Sequence, residues 1–310
     1  MSKYVLLIDG PNVALKYISL QDKINVELSF LKQISNFYQQ FKPKDVFICW
    51  EGTNSRKLRQ NILKEYKMNR HKPTNQRRSA KKASKLSVEN IRQYITLFKV
   101  KLLENLPIRQ LNVNNLEADD VIAELTRVYK DDNVIIISAD ADFQQLISEN
   151  VSIYNHLKKV FITKENIKDK IANPFNLIWE KAIVGDKSDN IAGIKGVGPK
   201  TFAKIFKDNL LDEKRWSPDF VKEKLIENDK EYDKVMTNFK VIQLFVPLHA
   251  LASAQIRDFC RAKKTYKLNE EFVINYFKTF KSIYFTKEKL KLILIPFNEF
   301  LAMRIFQKDI

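Results

Sequence analysis

The feature that most constrains the fold is a series of short, β-rich apolar runs that each end close to an acidic residue. The three strongest runs, with the acids that follow them, are 4–8 with Asp9, 46–50 with Glu51, and 134–138 with Asp140. Long helical patterns, for example at 26–41 and 88–106, separate the runs, and 108–113 is a weaker strand candidate. Strands that alternate with helices predict an α/β fold, in which a mostly parallel central sheet is flanked by helices.

Further acids are expected to join these three at the carboxyl edge of the sheet, where open α/β sheets bind their ligands. Carboxylates gathered there repel and raise one another's pKa values unless cations neutralise them. Oxygen ligands without nearby histidine or cysteine favour Mg²⁺ or Mn²⁺ over zinc, and two such ions can promote phosphodiester hydrolysis. For any single pair of acids, helix capping or a solvated surface is the alternative. The predicted metal-site residues are Asp9, Glu51, Glu117, Asp119, Asp120, Asp140, Asp142, Asp186 and Asp189.

A second unusual feature is the stretch 185–200, GDKSDNIAGIKGVGPK, which holds four of the chain's six glycines. With Pro199 at the start of the next helix, backbone N–H groups there can hold a phosphate, as in a helix–hairpin–helix motif that binds the DNA backbone without reading sequence. Because no strand precedes the loop and the GxxxxGK[ST] spacing is absent, a Rossmann or P-loop site is excluded. An ordinary tight turn is the alternative. The predicted DNA contacts are Gly193, Lys195, Gly196, Gly198, Lys200 and Thr201.

Residues 64–85 are strongly basic, with nine Lys or Arg and one acid. Within this segment, Tyr66 is expected to stack on a base, while Lys67 and Arg70 contact the scissile phosphate as catalytic cations. A solvated helix is the alternative. The net charge of +17 favours a polyanionic partner, and solubility or a biased genome composition is the alternative.

Composition also limits the class of protein. The two cysteines support neither a disulfide framework nor a zinc cluster and are expected to be packed thiols. With no apolar run of transmembrane length and no signal peptide, the chain is expected in the cytoplasm, in the host cytoplasm if it is phage-encoded, without a membrane partner. The predicted domains are an α/β nuclease domain over 1–174 and a helical domain over 175–310.

Six motifs in order resemble the 5′-nuclease superfamily, which includes flap endonucleases, the 5′-nuclease domain of bacterial DNA polymerase I and phage 5′-exonucleases with RNase H activity. The resemblance extends from 4 to 206, and the chain's length favours the phage branch of the T4 and T5 type. The motifs are Ile-Asp-Gly, a second strand-end acid, Tyr-Lys-x-x-Arg, Glu-Ala-Asp-Asp, Asp-x-Asp-Phe, and Gly-Asp-x-x-Asp-Asn before the glycine loop.

The resemblance implies a PIN-like 5′-nuclease fold with a basic helical arch at about 56–106 and a helix–three-turn–helix motif at about 176–207. Lys67 and Arg70 would form an electrophilic pair at the base of the arch. The loop, in relatives, can coordinate K⁺ through its carbonyl groups. Glu51 departs from the family, which usually has Asp there. The implied ligands of the first metal are Asp9, Glu51, Glu117, Asp119 and Asp140, and those of the second are Asp142, Asp186 and Asp189, with Asp120 shared or in the outer shell.

The implied activity is that of a Mg²⁺-dependent, structure-selective 5′→3′ exonuclease and flap endonuclease, for which Mn²⁺ substitutes. Its substrates would be DNA and RNA–DNA hybrids with a 5′ flap, nick or gap, in primer removal, replication or repair. We expect a monomer, with a single-strand-binding protein or a replication polymerase as candidate partners. The alternatives are a PIN-type RNase, which would lack the loop and the basic segment, and a non-catalytic DNA-junction-binding protein.

Overall fold

A computed structural model describes residues 4–15, 23–71, 99–225, 229–244, 250–262, 266–278 and 286–306. Most of the predicted arch, and most of the helix predicted at 88–106, lie outside these ranges.

The centre of the fold is a six-stranded sheet with the strand order β3-β2-β1-β4-β5-β6. All neighbouring strands are parallel except β5 and β6, which are antiparallel. The four predicted strands are confirmed with ends shifted by one or two residues, whereas β5 and β6 were not predicted. The strands are β1 (Tyr4–Asp9), β2 (Asp45–Cys49), β3 (Arg109–Leu111), β4 (Asn133–Ile137), β5 (Val151–Asn155) and β6 (Val160–Ile162).

Helices surround the sheet. A separate antiparallel hairpin consists of two strands of two residues each, β7 (Gly185–Asp186) and β8 (Ile191–Ala192). Short 3₁₀ turns occur at Met68–His71, Leu103–Asn105, Ala141–Leu146 and Pro174–Asn176. The helices for which we use labels are α1 (Gly10–Leu15), α2 (Lys23–Phe41), α3 (Lys57–Ile62), α4 (Ala118–Val128), α5 (Lys164–Ile167), α6 (Leu177–Val184), α7 (Pro199–Ile205), α8 (Pro218–Leu225), α9 (Asp229–Ile242), α10 (Ala250–Arg261), α11 (Glu270–Lys278) and α12 (Lys287–Phe306).

Alternating side chains of the strands build a core on each face of the sheet, because successive residues of a strand point to opposite sides. Leu6 and Ile8 pack with α2, α11 and α12, whereas Val5 and Leu7 pack with α4 and α10. The helices after residue 250 therefore contact the sheet across the boundary predicted at 174/175. A third cluster, with Trp179, joins α6 to α9.

Both cysteines are free thiols, as predicted, with Cys49 buried and Cys260 half-buried. Among the residues described, none of the helices has the length and apolar content that a membrane span requires.

Candidate active site

The parallel register brings the ends of β1, β2 and β4 side by side, with Asp9 opposite Cys49 and Ile8 opposite Ile137. Asp9 is buried, and its carboxylate accepts hydrogen bonds from the Asn12 backbone N–H at 3.1 Å and the Ser138 hydroxyl at 2.7 Å. Burial, together with the charges of Asp140 and Glu51, nevertheless raises the pKa of Asp9 to about 7. The end of β1 thus lies in a field of negative charge.

Helix α4 brings further acids to this edge, because its first turn begins there. Glu117 caps the helix and forms a capping box with Asp120. Asp119 faces the acids of the strand ends, and burial and the charge of Asp9 raise its pKa well above the ordinary value. Desolvation and the charge of Glu117 also raise the pKa of Glu51. Asp9 and Asp119 therefore resist ionising together without an added cation, whereas Glu51 is exposed to solvent.

Lys67 inserts its ammonium group into this cluster. It is 5% exposed, and its Nζ lies 2.6 Å from Glu117 Oε1 and 3.6 Å from Asp189 Oδ2. Burial alone would lower the pKa of Lys67, but the neighbouring carboxylates raise it above its ordinary value. The same pairing, with Arg59, holds the pKa of Glu117 below its ordinary value although burial acts in the other direction.

The prediction that Tyr66 stacks on a base is not supported by the structure. The ring is 3% exposed, and its hydroxyl donates to Glu117 Oε2 at 2.9 Å. Tyr66 instead packs in the core cluster of α6 and α9, where a nucleobase has no access. The side chain of Arg70 lies outside what the structure describes.

Asp120, predicted to be shared between metals or in the outer shell, forms a buried ion pair with Arg59. The Arg59 guanidinium donates to both Asp120 oxygens at 2.6 Å, to Glu117 Oε2 at 2.9 Å and to the Val241 carbonyl at 2.8 Å. Both Asp120 oxygens are therefore occupied, and Arg59 ties α3 to α4 through Asp120 and to the end of α9 through the Val241 carbonyl. Sequence reasoning missed Arg59, because nothing distinguishes it locally from Arg56.

Two further predicted acids, Asp142 and Asp186, lie around Lys181 of α6, a second residue that sequence reasoning missed. Its Nζ contacts Asp142 Oδ1 and lies 3.0 Å from Asp186 Oδ2. Burial would raise the pKa of Asp186, but hydrogen bonds from Ser188 and the charge of Lys181 lower it to about 2. Asp140 is exposed at the edge of the site, and its Oδ1 accepts the Asp142 N–H at 2.9 Å.

Within the part of the chain that the structure describes, no three acidic, histidine or cysteine side chains converge closely enough to form a preformed metal site. Ammonium groups stand between the carboxylates instead, Lys67 at one end and Lys181 at the other. The donor set is nevertheless composed of oxygen atoms, and burial together with neighbouring carboxylates raises the pKa values of Asp9 and Asp119. This chemistry fits a hard divalent cation.

The glycine loop, residues 193–198, has the predicted position between α6 and α7, and α7 begins at Pro199. Gly196 has φ +82°, which favours glycine, and a side chain at Gly193 would meet the Val184 carbonyl at 2.2 Å. A two-residue strand, β8, precedes the loop, contrary to prediction, but it is too short for a Rossmann or P-loop unit. The exposed residues of the loop and the first turn of α7 include Lys195, Gly196, Lys200 and Thr201, and Gly193 and Gly198 are half-buried.

The chain belongs to the 5′-3′ exonuclease family. The model of the family's N-terminal resolvase-like domain matches residues 4–172, which is more than half of the chain. This match covers β1 to β6 and the acids at their ends.

Similar curated proteins carry the same kind of name. A 5′-3′ exonuclease of Aquifex aeolicus is 34% identical over 200 residues, which are 62% of this chain and 63% of that protein. One of Buchnera aphidicola subsp. Schizaphis graminum is 35% identical over 175 residues, 55% of each chain. The flap endonuclease Xni of Shewanella denitrificans is 29% identical over 65% of this chain and 76% of its own. The chain thus spans between about half and three quarters of these relatives.

Solved structures share the fold. The bacteriophage T5 5′-exonuclease with bound zinc superimposes with a TM-score of 0.67 at 18% identity, over 83% of this chain and 98% of that one. The catalytic core of Rad2 in complex with a DNA substrate gives 0.52 at 18% identity, over 96% and 92%. Likeness at this identity shows the 5′-nuclease fold, with its mostly parallel sheet, as predicted.

Proposed function

We propose that this protein is a divalent-metal-dependent, structure-selective 5′-nuclease. It hydrolyses phosphodiesters at the 5′ ends of DNA and RNA–DNA hybrids with a flap, nick or gap. The observation that carries the proposal is the group of Asp9, Glu51 and Asp119, whose pKa values are raised at the carboxyl edge of the sheet next to a buried lysine. The family and the relatives named 5′-3′ exonuclease or flap endonuclease support it.

Two divalent cations, Mg²⁺ with Mn²⁺ as a substitute, would supply an activated water and charge stabilisation of the leaving oxygen when bound. A solved structure of the T5 5′-exonuclease holds divalent zinc ions, and one of the T5 D15 flap endonuclease holds DNA and metal ions, which supports a divalent cofactor here. The residues proposed to hold the first ion are Asp9, Glu51, Glu117, Asp119 and Asp140, and those proposed for the second are Asp142, Asp186 and Asp189.

The protein's own residues organise this chemistry. The Ser138 hydroxyl and the Asn12 N–H hold the Asp9 carboxylate in one orientation. Lys67 supplies a buried positive charge next to the acids, and a fixed charge of this kind stabilises negative charge that develops on a phosphoryl group. Arg59 holds Glu117 and thereby the ammonium group of Lys67 in place.

The glycine loop would bind the duplex at a fixed distance from these acids. Lys195 and Lys200 are exposed on the loop and at the start of α7, where cations and free N–H groups suit backbone phosphates. Lys234 donates to the Gly193 carbonyl at 2.6 Å, so at this carbonyl an ammonium group takes the place that K⁺ could otherwise fill.

A non-catalytic DNA-junction-binding protein is the second candidate, because Lys67 and Lys181 already neutralise part of the acid cluster. The two are separated by incubating a 5′-labelled flap, a nicked duplex and an RNA–DNA hybrid with the protein, in Mg²⁺ and in EDTA. We expect products from the 5′ end in Mg²⁺ alone. Binding of all three substrates without any product in Mg²⁺ or Mn²⁺ would leave the second candidate.

A further inference from the structure

Lys181 joins two acids that come from different parts of the chain. It lies in the last turn of α6 with its side chain 31% exposed. Its single ammonium group contacts Asp142, which follows β4, and lies 3.0 Å from Asp186 Oδ2 in β7. A cation that bridged Asp142 and Asp186 would have to occupy the position that this ammonium group takes.

Both carboxylate oxygens of Asp186 already have hydrogen-bond or ion-pair partners. Asp186 Oδ1 already accepts hydrogen bonds from the Ser188 N–H at 2.8 Å, the Ser188 hydroxyl at 2.6 Å and the Asp189 N–H at 3.3 Å. Its Oδ2 is the oxygen that faces Lys181. A divalent ion therefore has to displace the ammonium group from Oδ2 or compete with three donors for Oδ1.

The two ends of the acid cluster thus differ in charge balance. At one end, Asp9 and Asp119 form no ion pair with any residue that the structure describes, and the neighbouring Lys67 pairs with Glu117 and Asp189 instead. At the end with Asp142 and Asp186, Lys181 contributes a positive charge of its own. Since an ion gains most where negative charge is least compensated, it should bind more tightly at the first end.

We propose that Lys181 is an internal counterion that competes with the divalent cation at the Asp142–Asp186 end and so makes this end the weaker of two metal sites. The proposal rests on the proposed function, since it takes these acids as metal ligands. Lys181 thus controls how far the divalent cation occupies the Asp142–Asp186 end. We assign it no contact with the substrate.

The test is direct Mn²⁺ binding to the full chain, measured by calorimetry and by the spin-resonance signal of free Mn²⁺, without nucleic acid. Lys181→Met should raise the Mn²⁺ affinity of the weaker class of sites about tenfold or more. The reason is that repulsion by a unit positive charge a few ångströms away lowers the affinity for a divalent ion by at least this factor, even at a dielectric constant close to that of water. Lys181→Arg, which keeps the charge, should leave the weaker class close to the wild type. The tighter class should change little in both.

The matched control is Lys170→Met, which removes the same charge from an ion pair with Glu180 at 3.0 Å, where the lysine side chain is 65% exposed. It should leave both classes of sites unchanged. Lys181→Gln is measured alongside, so that a folding defect of one variant does not decide the result.

Unchanged or weaker Mn²⁺ binding in Lys181→Met and Lys181→Gln would overturn the proposal, as would an equal gain in Lys170→Met. The counterion role of Lys181 and the nuclease function are separated by different outcomes. If the wild type cleaves a 5′ flap but removal of the Lys181 charge leaves Mn²⁺ binding unchanged, only the counterion role is lost. If removal tightens Mn²⁺ binding but no variant cleaves, the counterion role stands and the nuclease function falls.

Discussion

Replacement of Asp120 by asparagine tests whether this acid is an anchor for Arg59 rather than a metal ligand. Both Asp120 oxygens accept from the guanidinium at 2.6 Å, and the two side chains are 3% and 4% exposed. Removing one partner of such a buried pair costs about 3–5 kcal/mol, because the other charge stays buried without full compensation. Arg59 keeps Glu117 and the Val241 carbonyl as acceptors. We therefore expect Asp120→Asn to lose about 3 kcal/mol of unfolding free energy, at the lower end of that range.

The assay is urea unfolding in EDTA, followed by far-UV circular dichroism and analysed by linear extrapolation. Asp140→Asn is the matched control, since it makes the same chemical change at an exposed position of the cluster. Its unfolding free energy should stay within about 0.5 kcal/mol of the wild type. Equal stability of Asp120→Asn and Asp140→Asn, with metal binding reduced in both, would refute the anchor role.

Three further predictions concern charge in the site. In EDTA the unfolding free energy should decrease as the pH rises from about 4 to 7. Asp9 has a pKa of about 7 in the folded protein and of 3.8 in the reference state, so in this range the folded form binds a proton that the unfolded form has released. The loss is about 4 kcal/mol at most, and Asp9→Asn or saturating Mg²⁺ should reduce this pH dependence. Lys67→Ala should reduce the single-turnover cleavage rate about 10²–10³-fold, and a change in affinity alone would make Lys67 a docking contact. Neutral replacements of Lys195 and Lys200 should reduce the slope of log affinity against log salt by about 2, whereas an unchanged slope would leave the loop a structural role only.

The main strands and the location of the acids could be predicted, because both depend on local sequence. Apolar runs such as VLLI before Asp9 bury on both faces of the sheet, and parallel strands bring their carboxyl ends to one edge. The strands β5 and β6 were missed. Their sequences, VSIYN and VFI, are short and follow turn-rich segments, so that pairing with a neighbouring strand rather than local pattern determines them.

The pairing of charges could not be predicted, because it depends on which elements meet in the folded chain. Arg59 reaches Glu117 and Asp120, some sixty residues away, and Lys181 reaches back to Asp142. Tyr66 lies in a polar segment that indicates a surface, yet its ring is buried against α6. Each of these contacts requires a tertiary arrangement that no spacing along the sequence encodes.

The central claim, that this acid cluster hydrolyses phosphodiesters with divalent ions, is tested most directly by single-turnover cleavage of a 5′-labelled flap across a Mg²⁺ titration. The comparison is between the wild type and Asp140→Asn, with flap affinity measured separately in EDTA. We predict no cleavage in EDTA and a cleavage rate whose dependence on Mg²⁺ concentration requires more than one bound ion. At unchanged flap affinity, the cleavage rate of Asp140→Asn should be at least about 10²-fold lower than that of the wild type. Cleavage by the wild type in EDTA, or equal rates for the two proteins at saturating Mg²⁺, would contradict the account.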